Sequence, residues 1–164
     1  MIPELGQFSL ILALCFAFMQ VAFIHRNHIF TIAQFVFLLF SFLILEYAFI
    51  VDDFSVMYVA AHSHTDLPLM YRISALWGGH EGSLLLWVLM LSGWGAAVAI
   101  LGRHLPHKTH SILLSVLGVL SVGFLLFILL TSNPFLRALP IAPFNGQDLN
   151  PLLQDPALII HPPL

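Results

Sequence analysis

Residues 112–130 read ILLSVLGVLSVGFLLFILL, an apolar run without a charged side chain. About 20 such residues, coiled into a helix, span the hydrocarbon core of a bilayer. Three further runs have comparable length and apolar character, at residues 7–24, 30–51 and 83–101. These runs predict four transmembrane helices, and therefore an all-α polytopic membrane protein.

The composition of the whole chain supports this fold class. Of its 164 residues, 60% are hydrophobic and 8% are charged, whereas a soluble domain has about 25% charged residues. The net charge is −3 with only 5 basic residues, which excludes a surface that neutralises several phosphates of a nucleic acid. The single cysteine, Cys15, excludes an internal disulfide and a CxxCH haem-attachment site.

The distribution of charge predicts the topology. The short links 24–30 and 101–112 lie on the same side of four spans, and they contain most of the basic residues and no acidic residue. The loops 52–82 and 131–164 lie on the opposite side. Because basic residues are retained on the cytoplasmic side, we expect two long external loops and both termini in the periplasm. The N-terminus lacks the basic region and cleavage site of a signal peptide, so the first helix is expected to remain as a span of the inner membrane.

The two external loops are too long to be simple connections, and function is expected there. In the first, Thr65-Asp66 and Pro68 favour a helix start and Gly78-Gly79 a helix end, which predicts a short interfacial helix over 67–77. In the second, repeated prolines prevent a continuous helix and predict a structured loop.

Nine histidines are the most informative residues in so apolar a chain, because imidazole binds haem iron and other metals. His104, His107 and His110 recur every three residues, but a solvated basic link is favoured over a metal site. His62 and His64 would form a minimal chelate in an extended segment. A hydrated loop is the favoured interpretation of this pair.

His80-Glu81 lies between glycines at the start of the third span. The pair is interpreted either as orienting a bound ligand or as a hydrated glycine-rich turn, and the residues alone leave both open. Trp77, Trp87 and Trp94 lie in the same region, with Trp87 and Trp94 on one helix face. Interfacial anchoring is favoured over a ligand platform for these tryptophans.

Small residues at helical spacing predict the contacts between helices, namely Gly93 with Ala97 and Ser115 with Gly118. Glu46 is the one formal charge inside an apolar span. An ionised acid at that depth is costly, so Glu46 is interpreted as reaching the outer interface or staying protonated, rather than relaying protons.

Five runs carry a resemblance to a known family: MIPELG at 1–6, WGGHEGSLLLW at 77–87, TSNPF at 131–135, DLNPLLQDP at 148–156 and HPPL at 161–164. Over its whole length, 1–164, the chain resembles the N-terminal quarter of the CcmF/NrfE haem lyase family of cytochrome c-type biogenesis proteins, part of the haem-handling group with a tryptophan-rich WWD motif. The resemblance implies that haem is taken from the chaperone CcmE and joined to apocytochrome c, with a CcmH-type subunit as a further partner.

The resemblance also implies roles for particular residues. His161 corresponds to the first of two external histidines that hold haem as axial ligands, and is the candidate metal-binding residue. Trp77, His80 and Trp87 belong to the recurrent motif at the third span and are expected to frame the haem cavity. The family's WWD motif, its second external histidine and the ligands of its b-type haem lie beyond position 164. The chain is therefore expected to be a fragment or a split subunit that is not catalytic alone.

Two other interpretations remain open. One is a self-standing four-helix membrane anchor or carrier, which the lack of a histidine inside any span disfavours as a b-type cytochrome. The other is an interaction module that packs against partner helices through the small residues named above.

Overall fold

The computed structural model describes residues 1–147, 149–155 and 157. Within them the chain forms six α-helices, listed in chain order: α1 (Ile2–Ala22), α2 (Asn27–Ile50), α3 (Met57–His62), α4 (Leu69–Ala75), α5 (His80–Leu101) and α6 (His107–Thr131). Four of them, α1, α2, α5 and α6, are long and apolar enough to cross a membrane. The prediction of four spanning helices is confirmed, and the chain is a multi-pass membrane protein.

The long helices extend beyond the predicted apolar runs. Helix α1 begins at Ile2, because Pro3 lies in the first turn, where a missing backbone N–H removes no helical hydrogen bond. Helix α6 begins directly after Pro106 and continues to Thr131. An apolar run marks only the part of a helix that lies in lipid, so it does not include the polar turns at the helix ends.

The four long helices form a bundle in which α1 packs on α2 and α6, and α5 packs on the same two helices. Two buried amide side chains join the long helices: Gln20 Nε2, inside the apolar region, donates to the carbonyl oxygen of Leu114 (2.6 Å), and Asn27 Nδ2, at the start of α2, donates to that of Ser111 (2.8 Å). Such bonds between membrane helices contribute about 0.6–2 kcal/mol each.

The small residues lie at helix contacts, as predicted, but the contacts are internal. A methyl group on Gly118 would meet Val21 and Gln20 of α1 at 3.0–3.1 Å, and one on Gly93 would meet Phe35 of α2 at 3.4 Å. The glycines therefore pack this chain's own helices together. The interpretation that these glycine faces bind partner helices is wrong for Gly93 and Gly118.

The two long loops lie together at one end of the bundle. Met57 N–H donates to the carbonyl oxygen of Leu136 (2.8 Å), and Ala138 N–H donates to that of Ser55 (2.9 Å). The predicted helix over 67–77 is present as the shorter α4, since Pro68 precedes its first residue and turns follow its last. Helix α3 was not predicted.

Candidate functional site

Three of the runs that carry the family resemblance meet at the loop-bearing end. His80, the first residue of α5, has its Nδ1 3.2 Å from Ser132 Oγ, and its ring lies edge-on to Phe127 with the ring centroids 6.1 Å apart. Phe135 is buried, and a methyl group on Gly6 would overlap its ring. Runs 77–87 and 1–6 are therefore both joined to run 131–135.

Tyr58 organises the glycine-rich turn that precedes α5. Its buried hydroxyl donates to the carbonyl oxygen of Leu76 (2.7 Å) and accepts the N–H of Gly79 (3.1 Å). Burial raises the pKa of Tyr58, because the charged phenolate loses its hydration. A side chain on Gly79 would lie 2.5 Å from His62 Nε2, so the close approach requires glycine there. This packing fixes the position at which His80 enters the helix.

His62 and His64 do not form the chelate that an extended segment would allow. His62 is the last residue of helix α3, and its Nδ1 donates to the carbonyl oxygen of Tyr58 (3.0 Å). The Nε2 of His64 accepts from Asn145 Nδ2 (2.9 Å). Across the described ranges 1–147, 149–155 and 157, no group of three or more His, Cys, Asp or Glu residues is placed to hold a metal ion.

Arg72 fastens the first loop to the end of α2. Its guanidinium donates to the carbonyl oxygens of Leu67 (2.8 Å) and Thr65 (2.7 Å) and to Asp52 Oδ2 (2.6 Å). The hydrogen bond from Arg72 to Asp52 is charge-assisted because both groups are ionised. Both side chains are also mostly buried. The loop is therefore a fixed platform for the site.

A second arginine fastens the other loop. Arg137 binds Glu4 at 2.6 Å, and it also donates to the hydroxyl of Ser55. The segment after α6 is thereby tied both to the start of α1 and to the segment after α2.

One face of α5 carries large exposed side chains at intervals of seven residues. His80 is exposed, Trp87 is 59% exposed and Trp94 is 73% exposed. At 1.5 Å per residue, Trp94 lies about 21 Å along the helix from His80, inside a hydrocarbon core of about 30 Å. Interfacial anchoring, the favoured interpretation, does not fit Trp94 at that depth. We call His80, Trp87 and Trp94 the α5 stripe.

The other predicted site residues are placed differently. Trp77 is half-buried against the hydrophobic core and does not lie on the α5 stripe. His161 lies outside the described residues. Both carboxyl oxygens of Glu46 are shielded and lack a hydrogen-bond partner in the described part of the chain, so the interpretation that Glu46 reaches the interface does not fit.

No sequence pattern points to Tyr58, Arg72 or Ser132 as site-forming residues. Ser132 stands in the TSNPF run, two residues after the apolar segment, and is the residue that follows the last turn of α6. The partners of these residues are distant in sequence, so only the folded chain reveals them.

The family model described as Cytochrome C assembly protein matches residues 77–164, more than half of the chain. The chain therefore belongs to the cytochrome c assembly protein family. The matched region begins at Trp77, immediately before the turn that positions His80.

Relatives make the comparison more specific. The chain is 52% identical to the cytochrome c-type biogenesis protein CcmF of Pseudomonas aeruginosa, over 100% of this chain and 27% of that protein. It is 46% identical to the cytochrome c-type biogenesis protein NrfE of Haemophilus influenzae, over 100% of this chain and 28% of that protein. The solved structure of cytochrome c heme lyase CcmF superposes with a TM-score of 0.75 at 26% identity, covering 82% of this chain and 25% of that one.

The resemblance to the N-terminal part of the CcmF/NrfE proteins is thus confirmed. The chain spans about a quarter of the length of the curated relatives that it matches. Membership of this family implies the handling of haem.

Proposed function

We propose that this chain acts in cytochrome c maturation, as the N-terminal membrane portion of a haem lyase that receives haem and promotes its attachment to apocytochrome c. The observation that carries the proposal is the α5 stripe. It begins at a histidine fixed by Ser132, at the end where both long loops meet, and the other long helices of the described chain leave it uncovered. Such a face suits contact with a large flat ligand or with the rest of a haem cavity.

The described residues fit one wall of a haem site. Haem iron takes one or two axial ligands from the protein, so the lack of a three-residue metal cluster among those residues does not count against it. The bond between Nδ1 of His80 and Ser132 leaves Nε2 as the ring nitrogen for a ligand. Trp87 lies about 10 Å further along the same face, where its ring can stack on a porphyrin.

We assign His161 as an axial ligand of the haem that is to be attached, on the resemblance to the family's first external histidine. Trp77, His80 and Trp87 are assigned to the frame of the cavity, with Trp77 acting through the core packing of the turn. Bound haem supplies the group that is joined to the cysteines of apocytochrome c. This chain's residues hold and orient it, and further parts of the family's site complete the reaction.

The proposed partners are the haem chaperone CcmE, a CcmH-type subunit and apocytochrome c. The proposed location is the bacterial inner membrane, with both termini and the loop-bearing end in the periplasm. One observation supports this orientation: the opposite end has the basic links without acidic residues.

The test is haem staining of c-type cytochromes in a host whose own gene carries the substitution. His161→Ala is expected to abolish maturation, and His80→Ala and Trp87→Ala to reduce it. His104→Ala, at the opposite end, and Phe40→Ala, a 49% exposed aromatic residue of α2, are the matched controls and should mature cytochromes normally.

Full maturation with His161→Ala would contradict the assignment of that ligand. If His80→Ala and Trp87→Ala matched their controls, the α5 stripe would not be a wall of the haem site. Protein levels in the membrane, measured by immunoblot, separate loss of activity from loss of folding.

A further inference from the structure

A cavity of about 380 Å³ lies at the end of the bundle opposite the long loops. We call it the histidine cavity. Four of the nine histidines line it, together with Asn27 and Ser111: His25, His28, His107 and His110. The two short links are thereby at one common end, as predicted, and four of their five histidines surround one open cavity, where His25, His28 and His107 remain exposed.

The ends of two long helices make this cavity favourable for an anion. Helix α2 begins at Asn27 and α6 begins at His107, and neither first turn has a side-chain cap. The first-turn N–H groups of a helix are unpaired, and the helix dipole is positive there. Anions bind at such ends, and here two of them open on the same cavity.

The surrounding charge has the same sign. The links 24–30 and 101–112 contain no Asp or Glu, and Arg26 and Lys108 line the clefts that adjoin the histidine cavity. The histidines also do not converge as metal ligands within the described residues. His110 uses Nε2 to donate to the carbonyl oxygen of Val98 (3.1 Å). The nearby basic side chains and the two helix ends therefore favour an oxyanion over a cation in this cavity.

An apolar groove of about 310 Å³ continues from the cavity along α6. Ile24, Ile112, Val116 and Leu120 line it, and a cleft lined by Ile24, His25, His107 and Ile112 connects the two. From Ile112 to Leu120 the helix rises about 12 Å, close to the half-thickness of a hydrocarbon core of about 30 Å. The combined shape has a polar head region and an apolar tail region.

We propose that this end of the bundle binds one anionic phospholipid, with the headgroup phosphate among the histidines and an acyl chain in the groove. The basic side chains and the helix ends favour a negatively charged headgroup. The apolar groove that continues from the cavity favours a lipid over a free anion, because it can hold an acyl chain. The site is independent of the haem site, because it lies at the other end of the bundle and shares no residue with it.

The test is native mass spectrometry of the protein purified from its own membrane, delipidated and titrated with phosphatidylglycerol or with phosphatidylcholine of the same acyl chains. We expect one phosphatidylglycerol to be retained, and phosphatidylcholine to bind more weakly. The variant His25→Gln/His28→Gln/His107→Gln should weaken phosphatidylglycerol binding by at least roughly tenfold, since each hydrogen bond to a charged group has about that effect. His104→Gln is the matched control, because His104 is exposed at the same end and does not line the cavity.

A second pair of variants tests the groove without touching the histidines. Val116→Trp fills the apolar groove and should also lower retention of the lipid. Val36→Trp places the same bulk on α2 and should not; Val116 and Val36 are 51% and 53% exposed. Inorganic phosphate at millimolar concentration should not displace the lipid.

Three results would overturn the proposal. Equal binding of the two lipids, unchanged by the histidine variants, would show only an ordinary lipid shell. Displacement by inorganic phosphate would show a free-anion site. No retained lipid in the purified protein, with the groove covered by another helix of that protein, would assign the surface to a protein contact.

Discussion

Gly82 lies in the first turn of α5, and replacing it with alanine would place a methyl group in the space of the Leu76 carbonyl. The new carbon would overlap the carbonyl oxygen, and would lie 2.8 Å from the carbonyl carbon and 2.7 Å from the Tyr58 hydroxyl. Ordinary contacts of this kind are 3.4–4 Å. The Leu76 carbonyl is backbone and cannot rotate away, so the turn between Leu76 and α5 must move.

The cost follows from the hydrogen bonds that such a movement breaks. Tyr58 donates to Leu76 and accepts from Gly79, so three buried polar groups lose partners. Each unsatisfied group costs about 1–3 kcal/mol, and alanine returns at most about 1 kcal/mol through its higher helix propensity. Gly82→Ala should therefore lower the free energy of unfolding by at least about 2 kcal/mol.

Unfolding of the purified protein in mixed detergent micelles, followed by circular dichroism, measures this change. Gly123→Ala is the control: Gly123 is also in a spanning helix, and nothing lies within 4 Å of its added methyl group. It should be neutral or stabilising by up to about 1 kcal/mol. If Gly82→Ala were as stable as Gly123→Ala, the close approach of Leu76 to α5 would not be a determinant of this turn.

Three further predictions concern the first long loop and the buried acid Glu46. Tyr58→Phe should cost about 1–3 kcal/mol in the same unfolding assay, because it leaves two backbone groups unpaired. Burial raises the pKa of Tyr58, so the stability that its hydroxyl contributes is present below about pH 10 and is lost as the pH rises further. A pH series of the variant should lack that alkaline loss of stability. Arg72→Gln should cost about 2–4 kcal/mol, since a mostly buried ion pair is broken, and Arg72→Gln/Asp52→Asn should recover part of it; equal stability of the single and double variants would contradict the pairing. Glu46→Gln should leave expression in the membrane unchanged by immunoblot, and a collapse would reveal a buried partner outside the described residues.

The spanning helices were predictable because a helix that crosses lipid needs about 20 consecutive apolar residues, and such a run can be read directly from the sequence. Run 112–130 alone contains enough apolar residues to locate α6, although its polar first turns, from His107, fall outside the run. Helix α3 gave no comparable signal: six residues are too few for a periodic pattern. Its position depends on long-range contacts, such as the bond of Met57 to Leu136 and that of Tyr58 to Leu76.

The candidate site was predictable in part for the same reason. The motif from Trp77 to Trp87 drew attention to His80 and Trp87, and the structure places both on one exposed face of α5. The bond between His80 and Ser132 spans 52 residues, and no local pattern specifies it. The grouping of four histidines around one cavity likewise depends on two links that are distant in sequence.

The α5 stripe is exposed, whereas the amide side chains of α1 and α2 are buried, and both can be judged by what lipid offers a polar group. Gln20 and Asn27 donate to carbonyl oxygens of α6 and lie inside the bundle, since lipid offers no partner for an amide. Trp94 has an indole N–H and lies at a depth where lipid would leave it unpaired. A residue that is costly to expose to lipid, repeated on one face with Trp87 and His80, indicates a surface suited to contact with a ligand or a protein partner.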